Sequence, residues 1–218
     1  MLQTLERTTT SSDLQTLLPV HREALRVLCE GESLPLVPLD ALRPALEAGR
    51  ILGDFGGQST LQAAAAILPL YDEAVLPTSL RAAGYGADGQ GAVLTPPRTA
   101  PHYTQLRRFL RTALATATAR YASYHVWAVL PLDREDLPRC EDLCAQYLAA
   151  GLTLRGLRPM ADCQLLIFSA RGLPHWREPY RRLRLADPAL PRMLERGYAV
   201  GDFGWGTGGM ELILRRAD

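Results

Sequence analysis

The 218-residue sequence contains no lysine and no asparagine, so all 24 of its basic residues are arginine. With its abundant alanine and leucine, this reads as compositional bias and not as the mark of a site. Each absence still removes a chemistry. Without lysine there is no Schiff-base nucleophile, and no phosphate-loop NTPase, whose loop needs that residue on the phosphates. Without asparagine there is no acceptor for N-linked glycosylation. Cysteine is scarce: Cys29, Cys140, Cys144 and Cys163 form neither a CxxC pair nor a Cys/His zinc pattern, so no metal site is expected. Cys140 and Cys144, one helical turn apart, are expected as buried, reduced thiols. A net charge of +1 provides no global field to recruit nucleic acid. No apolar run approaches the roughly 18 residues that a membrane-spanning helix needs. The N-terminal stretch MLQTLERTTTSSDLQ lacks the basic region and apolar run of a signal peptide. The expectation is a cytoplasmic protein with neither membrane nor nucleic-acid partners.

Against these absences stands a repetition. GDFG occurs at Gly53–Gly56 and again at Gly201–Gly204. A kinase-like magnesium motif is excluded, because that chemistry also needs a lysine and an asparagine. Residues 42 to 56 align with 190 to 204 at a constant offset of 148. Leu42/Leu190, Leu46/Leu194, Glu47/Glu195, Gly49/Gly197 and all of GDFG are identical, eight of fifteen positions. A glycine-rich turn and an apolar strand follow in both copies. The sequence therefore predicts a unit of helix, strand, turn and strand used twice, over residues 38–70 and 186–216. Both GDFG segments are expected at strand ends, with Phe55 and Phe203 packed and Asp54 an exposed turn carboxylate. Convergence on a common shape is the alternative reading.

Periodicity orders the rest. SSDLQTLLPVHREALRVLCEG predicts a helix capped by Ser12 or Asp13, with His21 in its packing stripe and Gly31 at its end. LDALRPALEAG predicts a second helix, and RILGDFGGQSTLQAAAAILPL a hairpin about Gly56-Gly57. YDEAVLPTSLRAAGYGADGQG carries turn signals and no clear element. GAVLT reads as a strand and PPRTAPHY as a loop. TQLRRFLRTALATATARYA is the clearest helix, its apolar stripe running through Leu106, Phe109, Leu110, Ala113, Leu114, Ala117 and Tyr121. YHVWAVLP is a strand whose alternation puts His125 and Trp127 on one face. CEDLCAQYLAAG is a helix closed by Gly151, and LTLRGLR with CQLLIFSA an antiparallel pair. This order gives an α+β fold: a mixed, mostly antiparallel central sheet flanked by helices. Two regions are expected, 1–170 as the main domain and 171–218 as a connector plus the repeated α-β-β unit.

The run CEDLCAQYLAAGLTLRGLRPMADCQLLIFSA resembles the late helix, glycine and strand pair of the GCN5-related N-acetyltransferase (GNAT) family. In that family a tyrosine often stands four residues before the helix-ending glycine, here Tyr147 before Gly151. The resemblance covers roughly residues 12 to 170 and implies an acyl-CoA N-acyltransferase fold. It implies acetyl-CoA or another acyl-CoA as co-substrate and an amine of a small molecule or peptide as acceptor. Tyr147 would protonate the departing thiolate, since a phenol near pKa 10 can supply that proton. GAVLTPPRTAPHYTQLRRFLRTAL falls where the family places its strand, pyrophosphate loop and coenzyme helix. Backbone N–H groups of Val93, Leu94 and Thr95 would hold the oxyanion. The diphosphate would lie against Arg98, Thr99, Ala100, His102, Tyr103, Arg107 and Arg108 at a helix N-terminus. RAAGYG, Arg81 to Gly86, matches the family's loop pattern literally at a different place and is the rival location. Asp72, Glu73 and His125 are open as general base, and a homodimer is left open. The reading from another class is a GNAT-like ligand-binding or protein-interaction module without catalysis.

Overall fold

A strand buried at nearly every position cannot show polar alternation, and LQAAAAILP is such a strand. The computed structural model describes residues 2–4, 50–55, 61–71, 75–86, 91–120, 125–160, 163–170 and 180–216. The chain divides into two compact units, 1–124 and 125–218. The expected helices over 12–31 and 39–49, the Gly56-Gly57 turn, and Cys29, Asp72, Glu73 and Tyr121 lie outside the described residues.

In the first unit the strands are β1 (Leu2–Thr4), β2 (Ile51–Phe55), β3 (Leu61–Pro69), β4 (Gly91–Leu94) and β5 (Arg98–Thr99). The order β1-β2-β3-β4 is antiparallel throughout, and β5 adds to β3 beside β4. β3 is thus bonded along both edges, and all its residues but Gln62 are buried. That burial on both faces explains its unbroken apolar run. Helix α1 (Val75–Ala82) fills the stretch that the sequence left unassigned. Its Pro77 sits in the first turn, where a missing N–H costs nothing, and Leu76 and Leu80 are buried one turn apart. Helix α2 (Leu106–Arg120) buries Phe109, Leu110, Ala113, Leu114 and Ala117, the stripe read from the sequence.

The second unit contains β6 (His125–Leu132), α3 (Leu137–Ala149), β7 (Thr153–Met160), β8 (Cys163–Ser169), β9 (Arg181–Arg184), α4 (Leu190–Glu195), β10 (Tyr198–Gly206) and β11 (Gly209–Arg216). Its sheet runs β6-β8-β7-β10-β11-β9 with antiparallel pairing at every step. The α+β class with a mostly antiparallel sheet is as expected. Asp136 caps α3 by accepting from the Arg139 amide at 3.4 Å. Gly151, at φ +98°, ends the helix in a conformation that glycine adopts freely. Cys140 and Cys144 are buried free thiols, as the helical spacing implied.

Residues 181–216 join this sheet through Val200 paired to Leu154. The stretch read as a pure connector contains an edge strand, β9, whose Arg181, Arg182 and Arg184 are exposed. Its arginines hide it from a search for apolar alternation. The second GDFG also departs from expectation. The first lies at the end of β2, but the second sits inside β10, where Gly201 is the extra residue of a β-bulge between Val200 and Asp202. In the first copy the register shift instead falls on the partner strand, at Gln62. Phe55 and Phe203 are half-buried.

Candidate functional site: a turn and helix start bearing arginines, and a buried tyrosine

Antiparallel pairing alternates the direction of successive amides, and this sorts the expected oxyanion donors. On β4, Leu70 donates to the Gly91 carbonyl at 2.9 Å, and Thr95 donates its N–H to the Ala66 carbonyl at 2.9 Å. The Ala66 amide in turn donates to Thr95 Oγ1 at 2.9 Å, so Thr95 is held to β3 twice. Val93, two residues before Thr95 in the same register, also directs its amide at β3. Of Val93, Leu94 and Thr95, only Leu94 turns its N–H away from β3.

Chain from Pro96 to Gln105 then leads into α2. The sequence reads Pro96 to Tyr103 as loop and starts the helix at Thr104, but Arg98 and Thr99 form β5 against Ala64 and Ala63, and α2 starts at Leu106. The Ala100 amide donates to the Gln62 carbonyl at 2.7 Å, so the bulge residue of β3 anchors the loop. Tyr103 then donates its amide to the Ala100 carbonyl at 3.2 Å. Pro101 follows Ala100, and His102 stands at φ +64°, the pattern of a type II β-turn. Glycine is the usual residue at that third position, so His102 is strained there. Two of the amides expected on a diphosphate, those of Ala100 and Tyr103, are thus engaged within the protein.

Tyr103 is fixed at its other end as well. Its hydroxyl donates to Asp54 Oδ2 at 2.6 Å. Partial burial, then this bond to Asp54, push its phenol well above the ordinary range, while Arg108 pulls it back. Asp54 is therefore no exposed turn carboxylate. The sequence offered no signal for this pair, whose members stand 49 residues apart. Arg107, Arg108 and Arg111 are exposed at the start of α2, and the first turn holds no acidic residue. Cations at a helix N-terminus oppose the macrodipole, so this charge pattern favours an anion there. Arg108 reaches back to Gln105 Oε1 at 3.3 Å. Arg98 is half-buried on β5.

RAAGYG is placed differently. Arg81 and Ala82 finish α1, and residues 83–86 form the turn that closes it. Gly84 donates to the Arg81 carbonyl at 2.9 Å and Tyr85 to the Leu80 carbonyl at 3.0 Å. Amides of a helix C-terminal turn point back at the helix, and that end carries partial negative charge. This segment is a helix stop.

Tyr147 lies on α3 in the second unit and is fully buried. Its hydroxyl donates to the Val129 carbonyl of β6 at 3.1 Å. Its ring lies tilted against Phe168, with centroids 4.9 Å apart. Burial, with a smaller contribution from Cys144, pushes the phenol far above its ordinary range. His125 and Trp127 share a face of β6, as alternation required, and their rings stack 5.0 Å apart. Among the described residues no three His, Cys, Asp or Glu side chains cluster as metal ligands, and no helix is long and apolar enough to cross a membrane.

No family model and no curated protein sequence matches the chain. Solved structures do. An acetyltransferase of the GNAT family from Listeria monocytogenes 4b F2365 aligns over 78% of this chain and 94% of its own, at 13% identity and TM-score 0.48. yncA from Salmonella typhimurium, solved with its cofactor acetyl-CoA, aligns over 78% and 91%, at 10% identity and TM-score 0.47. An N-acetyltransferase from Staphylococcus aureus Mu50 aligns over 78% and 99%, at 12% identity and TM-score 0.43. The solved structures with which the chain aligns thus include acetyltransferases, one of them of the GNAT family.

Proposed function

We propose that this protein is an acyl-CoA-dependent N-acyltransferase, moving an acetyl group from acetyl-CoA to an amine of a small molecule or peptide. The observation that carries the reading is the start of α2. Arg107 and Arg108 stand in its first turn, which itself contains no acidic residue, and a fixed turn delivers the chain into it. A diphosphate would complement that positive charge at the helix start. Arg98 and the His102 backbone would add to the same cradle, with Thr99 beside them.

The co-substrate supplies an activated thioester. The chain's own part is to hold it, to steady the developing oxyanion and to move protons. Leu94 N–H, the one amide of its trio directed away from β3, serves the oxyanion. The acceptor amine attacks the carbonyl carbon, the C–S bond breaks, and the sulfur takes a proton from Tyr147. His125 stays open as the base for the amine proton.

One observation favours a second reading, an acyl-CoA-binding module without turnover. Tyr147 is fully buried, its proton is already donated, and burial makes it a weaker acid. Two measurements separate the readings. Coenzyme A at 100 times its dissociation constant should stabilise the fold by about 2.7 kcal/mol under either. Thiol release from acetyl-CoA over a panel of amines is expected only for the enzyme. Failure of the ligand to stabilise the protein would overturn both.

A further inference from the structure

The proposed function leaves the first GDFG without a role, and the structure supplies one. We propose that Asp54 is a positioning residue for the diphosphate-binding turn: its carboxylate holds Tyr103 and so sets the Ala100–Tyr103 turn against the start of α2. This inference rests on the reading of that turn as the acyl-CoA site.

The turn is tied at both ends to the β2–β3 hairpin. At its start the Ala100 amide bonds the Gln62 carbonyl at 2.7 Å, and at its end the Tyr103 hydroxyl bonds Asp54 Oδ2 at 2.6 Å. Between them lie Pro101, which has no amide, and His102 in a left-handed conformation that its side chain disfavours. A strained turn persists only where its surroundings over-determine it. Asp54 is one of those determinants. Released from Asp54, Tyr103 and the turn relax, and the His102 amide and the helix start lose their fixed relation.

The second copy shows that the motif alone does not confer this. Asp202 is exposed and bonds the amide of its own neighbour, Phe203, at 2.9 Å. The bulge at Gly201 sets that copy in a different register. Identical letters thus carry a positioning carboxylate in one copy and a local backbone contact in the other.

The test measures coenzyme A and pantetheine binding by calorimetry in the full chain. Pantetheine lacks the diphosphate. Asp54→Ala and Tyr103→Phe should each weaken coenzyme A binding about tenfold. The double variant should be no weaker than either single one. Asp54→Asn keeps an acceptor and should recover most of the affinity. Pantetheine affinity should not change in any of them, and Asp202→Ala should match the parent with both ligands. If Asp54→Ala and Tyr103→Phe bind coenzyme A as the parent does, Asp54 has no positioning role. Equal losses for pantetheine would assign it to general stability and also overturn the proposal. A parent protein that binds no coenzyme A would sink the acyl-CoA reading itself, and this inference with it.

Discussion

Tyr147 donates its hydroxyl proton to the carbonyl oxygen of Val129, 3.1 Å away, between a helix and a strand of the same unit. The bond defines two separable losses. Tyr147→Phe should cost about 1–2 kcal/mol of stability, because the Val129 carbonyl is left buried without this donor. If the tyrosine also supplies the proton to the leaving thiolate, turnover should fall about 100-fold with coenzyme A affinity unchanged. Chemical denaturation and initial rates on one preparation measure both. Unaltered turnover beside the expected stability loss would leave Tyr147 a packing residue.

Arg108→Gln should move two quantities in opposite directions. Removing a cation from the first turn of α2 favours the unliganded helix by about 0.3–1 kcal/mol. Removing it from the diphosphate should weaken coenzyme A binding and reduce its salt dependence. Thermal melts without ligand and titrations at two ionic strengths check this. A variant that binds as tightly as the parent at both would remove Arg108 from the site.

His102→Gly should stabilise the protein by about 0.5–1 kcal/mol. The left-handed conformation costs a side-chain residue about 1–2 kcal/mol, and the freer glycine chain returns part of that. A lower melting temperature would mean that the His102 side chain contributes more than its backbone costs.

Gly209 and Gly151 both have positive φ, +113° and +98°. A Cβ on Gly151 would meet nothing within 4 Å, whereas one on Gly209 would stand 2.9 Å from Glu141 Oε2. That carboxylate is buried and accepts the Met210 amide at 3.2 Å. Gly151→Ala should therefore cost about 1–2 kcal/mol for backbone strain, and Gly209→Ala about 2–4 kcal/mol for strain plus displacement of Glu141. Equal costs in urea denaturation would show that Glu141 yields freely.

Stability should fall at alkaline pH. Burial raises the Cys144 thiol and the Tyr147 and Tyr103 phenols in the folded state. The unfolded chain releases its thiol proton near pH 8.5 and its phenol protons near pH 10, approximate ordinary values, while the folded chain retains them. Above those values the unfolded state binds fewer protons, so stability declines with rising pH, by at most about 1.4 kcal/mol per pH unit per group. Below about pH 8 these groups contribute no slope. Cys144→Ser should make the decline between pH 8.5 and 10 shallower. An unchanged profile would assign it to other groups.

The long helix was legible because its apolar positions repeat at one period over fifteen residues. The paired strands from 153 to 169 were legible from their apolar runs and the glycine before them. Other parts follow from contacts that no local pattern encodes. Helix α1 was hidden by Pro77 and the glycines after it. Two-residue β5 exists only because β3 offers it an edge. The bulge at Gly201 depends on how β10 meets β11, so an unbroken sequence repeat did not imply an unbroken register. At the candidate site, the arginines were visible as charge before a helix. The tie between Asp54 and Tyr103 was invisible across 49 residues, and the sorting of Val93, Leu94 and Thr95 needed the β3 register.

β10 occupies the side of β7 that would otherwise be open, and β9 becomes the terminal strand of that sheet among the described residues. Two copies of the chain meeting there, strand to strand, would bring Arg181, Arg182 and Arg184 against their own duplicates. Repulsion at such spacing disfavours ribbon-like stacking. The C-terminal hairpin thus exchanges an edge open to self-association for one that repels its own kind, which would keep the protein dispersed at high concentration and make it more prone to cluster as salt is added.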